Sequence, residues 1–120
     1  MSEMKLAVMG AAGRMGRELV RAVHAMDGCV VAAALEHATS LALGEDAGLL
    51  AGLGKINVPI TSDALDVVAR VDGVLDFTVP AASIELADLT ANARIVHVIG
   101  TTGFTPDQER AIEAAGRHAV

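Results

Sequence analysis

The segment Gly10-Ala11-Ala12-Gly13-Arg14-Met15-Gly16, three glycines at intervals of three, restricts the fold of this chain more than any other feature. A short apolar run without helical period, residues 5–9, leads into it. From residue 13 to about residue 26, Met15, Leu19, Val20, Val23 and Met26 recur at spacings of three to four, which predicts an amphipathic helix. Strand, glycine turn and helix in that order form the context in which a glycine-rich loop holds a dinucleotide pyrophosphate. Gly10 lets the chain turn sharply off the strand. Gly13 leaves the backbone amides open to the pyrophosphate, and Gly16 lets the helix sit close to the sheet. Amides at the helix start, with the helix dipole, attract phosphate by about 0.3–2 kcal/mol. The first spacing is Gly-x-x-Gly where the usual pattern has Gly-x-Gly, so this is a variant; a tight turn without a ligand is the competing reading.

The rest of the chain alternates in the same way. Asp27-Gly28 stops the helix, and residues 29–35 form the continuous apolar run expected of a strand buried on both faces. Residues 36–57 read as a loop with one helical turn, and 58–61 as a short strand. Ser62 or Asp63 can cap a helix through Leu65, Val68 and Ala69. Residues 74–78 form another apolar run, and Pro80 opens a helix carrying Ile84, Leu86, Ala87 and Leu89. A strand over 95–99 ends at Gly100. Thr105-Pro106-Asp107-Gln108 reads as a capping box with proline at the first helical position, opening a helix to about Arg117. Residues 118–120 read as the entry to a sixth strand. Helices between strands supply parallel crossovers, so the expected fold is α/β: a Rossmann-like, doubly wound, mostly parallel sheet with helices on both faces. At 120 residues the chain is read as a single nucleotide-binding domain, residues 1–120, with ligands at the carboxyl ends of its strands.

Glu36 ends the second strand 20 residues past Gly16, where such folds place an acidic residue on the adenosine ribose. Ile99-Gly100-Thr101-Thr102-Gly103 follows a strand and belongs at the same sheet edge, where small residues can approach the nicotinamide half. Asp76-Phe77-Thr78-Val79-Pro80 is a third strand end in that plane, with Phe77 read first as a core residue and second as a cofactor contact. A net charge of −6, no Trp or Tyr and only two Phe offer neither a basic footprint nor stacking platforms, so no nucleic-acid partner is expected. The longest apolar stretch, Cys29–Leu35, is far too short to cross a bilayer. The run before Arg14 and Arg17 is likewise too short for a signal peptide, and a cytoplasmic location is expected. Cys29 stands alone and reads as a small buried hydrophobe. His24, His97 and His118 show no catalytic or metal spacing and read as surface or satisfied core histidines. No Ser/His/Asp grouping, paired-carboxylate site or metal cluster is discernible, and no catalytic residue is assigned.

Five ordered motifs together resemble the 4-hydroxy-tetrahydrodipicolinate reductase family, also called dihydrodipicolinate reductase. They are the segment from Val8 to Gly16, Ala34-Leu35-Glu36, Asp46-Ala47-Gly48, Asp76-Phe77-Thr78-Val79-Pro80 and the segment from Val98 to Phe104. The resemblance covers nearly the whole chain. It implies a bacterial oxidoreductase of the diaminopimelate and lysine pathway, using NADH or NADPH. On that resemblance the cofactor set is Gly10, Ala11, Ala12, Gly13, Arg14, Met15, Gly16, Glu36, His37, Phe77, Gly100, Thr101 and Thr102. Gly10 to Met15 would cradle the pyrophosphate, Glu36 the ribose, and Gly100, Thr101 and Thr102 the nicotinamide side. Family members continue into a C-terminal substrate domain that binds the dicarboxylate, carries a paired-histidine and lysine motif and builds a homotetramer. This chain stops at Val120 with only Lys5 and Lys55. The resemblance therefore implies a cofactor-binding domain without turnover of its own, with uncovered apolar surface that lowers its stability or lets it self-associate. The alternatives are the nucleotide domain of another amino-acid-pathway dehydrogenase and a non-catalytic NAD(P)-sensing module.

Members that accept NADPH well often carry arginine just after the ribose-binding glutamate, where this chain has His37. An ordinary imidazole is mostly neutral near pH 7 and a poor partner for a 2′-phosphate, so NADH is the expected preference. Titrations with both reduced cofactors should show NADPH gaining on NADH from about pH 8 to about pH 6. A ratio that stays flat over that range would remove His37 from the site.

Overall fold

Short apolar strands cannot pair in parallel unless each is followed by a segment long enough to carry the chain back along the sheet. In the computed structural model, which describes residues 3–101 and 103–116, helices do this between most strands. The order is β1 Met4–Met9, α1 Arg14–Ala25, β2 Cys29–Leu35, α2 Ala47–Leu50, β3 Ile60–Thr61, α3 Ala64–Val68, β4 Gly73–Asp76, α4 Pro80–Ala93, β5 Val96–Ile99 and α5 Pro106–Gly116. The sheet runs β3-β2-β1-β4-β5, and each neighbouring pair is parallel. From β1 the chain winds outward through β2 and β3, then returns to β1's other side for β4 and β5. The winding direction therefore reverses between β1 and β4, and the crevice above their carboxyl ends is where such sheets take ligands.

Successive residues of a strand face opposite sides of a sheet, and β1 shows the consequence. Leu6 and Val8 join Val20, Val23, Val31 and Ala34 in the core beneath α1 and α2. Ala7 joins Ala33, Leu35, Val67, Val74 and Leu86 in the second core, on the face covered by α3 and α4.

The structure shifts several expected positions. The buried stripe of α1 is Gly16, Val20 and Val23; Met15 and Met26, counted above on the apolar face, are exposed. The stripe is rotated by one residue because Gly16, with no side chain, makes the closest approach to the sheet. Leu65 of α3 is exposed as well, its neighbours Val67 and Val68 providing the packing. β4 ends at Asp76, before Phe77 and Thr78, because the Thr78 hydroxyl turns back to donate to the Asp76 carboxylate at 2.6 Å. Asp63, not Ser62, caps α3, accepting from the Asp66 amide at 3.1 Å. The capping box of α5 is reciprocal: Thr105 N–H donates to Gln108 Oε1 at 2.8 Å, and Gln108 N–H to Thr105 Oγ1 at 3.2 Å. Arg117 and the expected sixth-strand entry at 118–120 lie outside the described residues, as does Thr102.

The long connection between β2 and β3 is organised by one buried carboxylate. Asp46 caps α2 by accepting from Leu49 N–H at 3.1 Å, and it also accepts from Ile56 at 2.9 Å and Val58 at 2.8 Å. Burial pushes its carboxyl upward, but the amides of Ile56, Val58, Leu49 and Gly48 outweigh this and hold it below the usual carboxylate range. A carboxyl lowered in the folded state contributes stability above its unfolded value and loses it as pH falls through the folded one. Asp46→Ala should therefore melt below the parent at neutral pH, with the gap shrinking below about pH 4. Melting curves that stay parallel down to about pH 3 would contradict this.

Candidate nucleotide site

At the carboxyl end of β1 the chain turns off the sheet through Gly10 at φ 78°, a left-handed conformation that a residue with a Cβ adopts only under strain. The turn is tied to the end of β2, since Gly10 and Ala11 N–H both donate to the Leu35 carbonyl, at 2.9 and 3.1 Å. Gly13 N–H then closes on the Gly10 carbonyl at 3.0 Å, and α1 begins. A Cβ at Gly16 would lie 2.0 Å from the Gly10 carbonyl oxygen, so helix and turn are in direct backbone contact. Gly13 occupies the N-cap without a side-chain bond, and the first turn of α1 holds no acidic residue.

The nearest carboxylate comes from β2 instead. Glu36 follows its last residue, and Oε2 accepts from the Ala12 amide at 3.0 Å with the side chain only 11% exposed. The acidic residue and the glycine turn are thus one hydrogen-bonded unit. His37 stands at the rim, 67% exposed, its Nδ1 2.9 Å from Thr39 Oγ1 and its Nε2 3.9 Å from Glu36 Oε1. Among the other expected residues Arg14 and Met15 are exposed, whereas Ala11 and Gly16 are buried.

The strand ends across the crevice are equally tied together. Gly100 N–H donates to the Asp76 carbonyl at 2.8 Å, joining the exits of β4 and β5. Phe77 is exposed rather than core. Its ring covers Gly100 so closely that a Cβ there would lie 1.8 Å from Cε2. Thr101 Oγ1 accepts from Thr78 N–H at 3.0 Å. The Thr78 methyl also lies 3.0 Å from where a Cβ on Gly10 would be, so the loops after β1 and β4 meet at the switch point.

Beneath these loops a histidine and an aspartate that share no spacing in the sequence meet. Asp76 is wholly buried, 0% exposed, and its Oδ2 lies 2.9 Å from Nε2 of His97, itself 5% exposed at the side chain. Nδ1 of His97 lies 3.1 Å from Thr90 Oγ1 on α4. Ser83 Oγ donates to Thr101 Oγ1 at 2.8 Å. This is not a nucleophilic triad, because both ring nitrogens are engaged and Ser83 points to a threonine. His97 is the satisfied core histidine expected from the sequence. Burial raises the Asp76 carboxyl, but the hydrogen bonds of His97 and Thr78, with the Ser83 hydroxyl nearby, outweigh this and bring it below the ordinary range. The grouping was hidden because His97 pairs with Val74 in the ladder, two residues before Asp76. Alternation then sets Asp76 and His97 diagonally on one face, and no local pattern gives that register.

Residues 4–120 match the family model described as dihydrodipicolinate reductase, N-terminus. The chain is 62% identical over its full length to 4-hydroxy-tetrahydrodipicolinate reductase of Beijerinckia indica, covering 44% of that protein. It is 59% identical over 98% of its length to 4-hydroxy-tetrahydrodipicolinate reductase 1 of Mesorhizobium japonicum, covering 43% of it. The chain therefore spans less than half the length of the curated relatives it matches. Dipicolinate-bound dihydrodipicolinate reductase from Paenisporosarcina sp. TG-14 superposes with a TM-score of 0.71 at 28% identity, over 94% of this chain and 43% of that one. An amine dehydrogenase from Mycobacterium smegmatis superposes at 0.72 with 19% identity over 95% of this chain and 36% of its own, a likeness of fold alone.

The backbone contact at Gly16 yields a direct test. Gly16→Ala should lower stability by about 1–3 kcal/mol, the usual cost of overpacking, read as an earlier urea midpoint. An unmoved midpoint would mean that α1 can slide off the turn.

Proposed function

The chain belongs to the dihydrodipicolinate reductase family, and we propose that residues 1–120 are the nucleotide-binding domain of such an enzyme, holding NADH or NADPH across the β1/β4 crevice. The observation that carries this reading is the Glu36–Ala12 bond, which holds a carboxylate within one hydrogen bond of the glycine turn. In this reading the turn from Gly10 to Met15 cradles the pyrophosphate, with the Arg14 and Met15 amides at the start of α1 as its donors, since those of Gly10, Ala11, Ala12 and Gly13 are engaged within the fold. Glu36 takes the adenosine ribose hydroxyls, while Phe77, Gly100 and Thr101 face the nicotinamide half. The fit is supported by the exposed N-cap Gly13, which sets no side chain over the start of α1. It is supported too by the helix start at Arg14, which has no acidic side chain of its own in the first turn.

The bound cofactor would supply a hydride. This chain's residues bind and orient it. In the whole protein the reaction would be reduction of 4-hydroxy-tetrahydrodipicolinate to tetrahydrodipicolinate, in lysine and diaminopimelate biosynthesis in the cytoplasm. The dicarboxylate contacts, the proton donor and the tetramer contacts would lie in the part of the relatives' length that this chain does not match. Hydride transfer needs the substrate held about 3–3.5 Å from the nicotinamide, so residues 1–120 alone would bind cofactor without turnover.

NADH is the preferred form in this reading, because Glu36 at the ribose would repel a 2′-phosphate and position 37 holds a histidine rather than an arginine to pair with it. Glu36→Ala should weaken NADH binding roughly tenfold or more by calorimetry, since bonds to a charged acceptor contribute about 1.5–3 kcal/mol. His37→Arg should raise NADPH affinity by roughly tenfold and leave NADH nearly unchanged. A Glu36→Ala chain that binds NADH as the parent does would overturn the assignment of the site.

A further inference from the structure

Beneath the two loops on the nicotinamide side lies a set of polar side chains in a core otherwise built of alanine, valine and leucine. Thr101 Oγ1 is its upper node, accepting from Thr78 N–H at 3.0 Å and from Ser83 Oγ at 2.8 Å, with its own hydrogen toward the Asp76 carbonyl at 3.4 Å. Asp76 is its lower node, with Thr78 Oγ1 on one carboxylate oxygen and His97 Nε2 on the other. His97 is anchored from behind by Thr90 Oγ1, whose hydroxyl donates to the Ala87 carbonyl at 3.1 Å within α4. The chain of bonds therefore runs from the body of α4 through His97 and Asp76 to the exit of β4, where Thr78 meets the β5 loop at Thr101.

A buried carboxylate of this kind contributes little stability that packed apolar groups would not, and removing its partner leaves it short of a donor. What it does supply is direction: each member has one geometry in which every polar atom is satisfied. The described hydrogen bonds of the Glu36 and glycine-turn half do not touch this set; Glu36 engages Ala12 and the amide of His37.

We propose that His97 is a positioning residue: through Asp76 it fixes Thr78 and Thr101, and with them the two loops that face the nicotinamide half of the bound dinucleotide. The proposal rests on the nucleotide reading above. It predicts an effect confined to one half of the ligand, which a purely structural role would not produce.

The test compares NADH with ADP-ribose, which keeps the adenosine and pyrophosphate but lacks the nicotinamide, by calorimetry on the full chain. The parent should bind both. His97→Leu should lose roughly tenfold for NADH while ADP-ribose stays within about twofold, and His97→Gln, whose amide can donate to Asp76, should recover most of the loss. By hydrogen exchange, the amides of Thr78 and Gly100 should lose protection in His97→Leu while Gly10 and Ala11 keep theirs. If His97→Leu does not fold, Ser83→Ala cuts the same set at Thr101 and should show the same selectivity. Equal losses for both ligands, or no loss for either, would overturn the proposal. A parent that binds neither ligand would sink the nucleotide reading itself, and the exchange pattern would then decide whether His97 positions the loops.

Discussion

Everything at the carboxyl edge of this sheet depends on helix α1 resting directly on the backbone of the turn before it. With a hydrogen in place of a side chain at Gly16, the helix start comes against the Gly10 carbonyl, where any Cβ would lie 2.0 Å from that oxygen. This contact brings the first-turn amides over the end of β1 and leaves the turn short enough for Gly10 and Ala11 to be held by the Leu35 carbonyl. Because β2 ends at that carbonyl, Glu36 emerges beside the turn rather than away from it. The close approach of one helix thus decides where the helix terminus and the Glu36 carboxylate stand relative to each other.

Three carboxylates divide the organisation of the fold. Asp46 gathers the amides of a long connection that contains little regular structure, doing by hydrogen bonds what a longer helix would do by packing. Asp76 sits under the opposite side of the crevice and engages side chains where Asp46 engages backbone. Both stay below the ordinary carboxylate range because donors surround them more closely than burial penalises them. Glu36 differs from both. It lies at the edge of the crevice with a bond to a single turn amide and to its neighbour's, and so retains acceptor capacity for a ligand hydroxyl.

The legible part of the protein was the part governed by neighbours in sequence. The boundaries of β2 followed directly from its unbroken apolar run between Gly28 and Glu36, and the capping box at Thr105 and Gln108 formed as its spacing required. The glycine turn and Glu36 were placed correctly in one plane because strand exits in a parallel sheet share an edge. Other positions were misread for a common reason. Met15 entered the helix count by its apolarity, yet the buried stripe passes through Gly16, because the core required proximity rather than bulk. Phe77 reads from the sequence as a core residue; the ring instead spreads over Gly100, and that glycine's role becomes visible only with the ring in place.

Local chemistry in the chain determined the order of its elements and the sharp glycine turn after β1, since these arise from sterics and hydrogen bonds within a few residues, whereas Glu36 meets that turn across 24 residues. Tertiary structure alone decided that Asp76 and His97 would meet, that Asp46 would collect amides up to 12 residues away, and which face of α1 would be buried. Those outcomes follow from register between strands and from competition for space in two cores. Such forces act on the folded sheet as a whole and leave no periodic mark in the sequence.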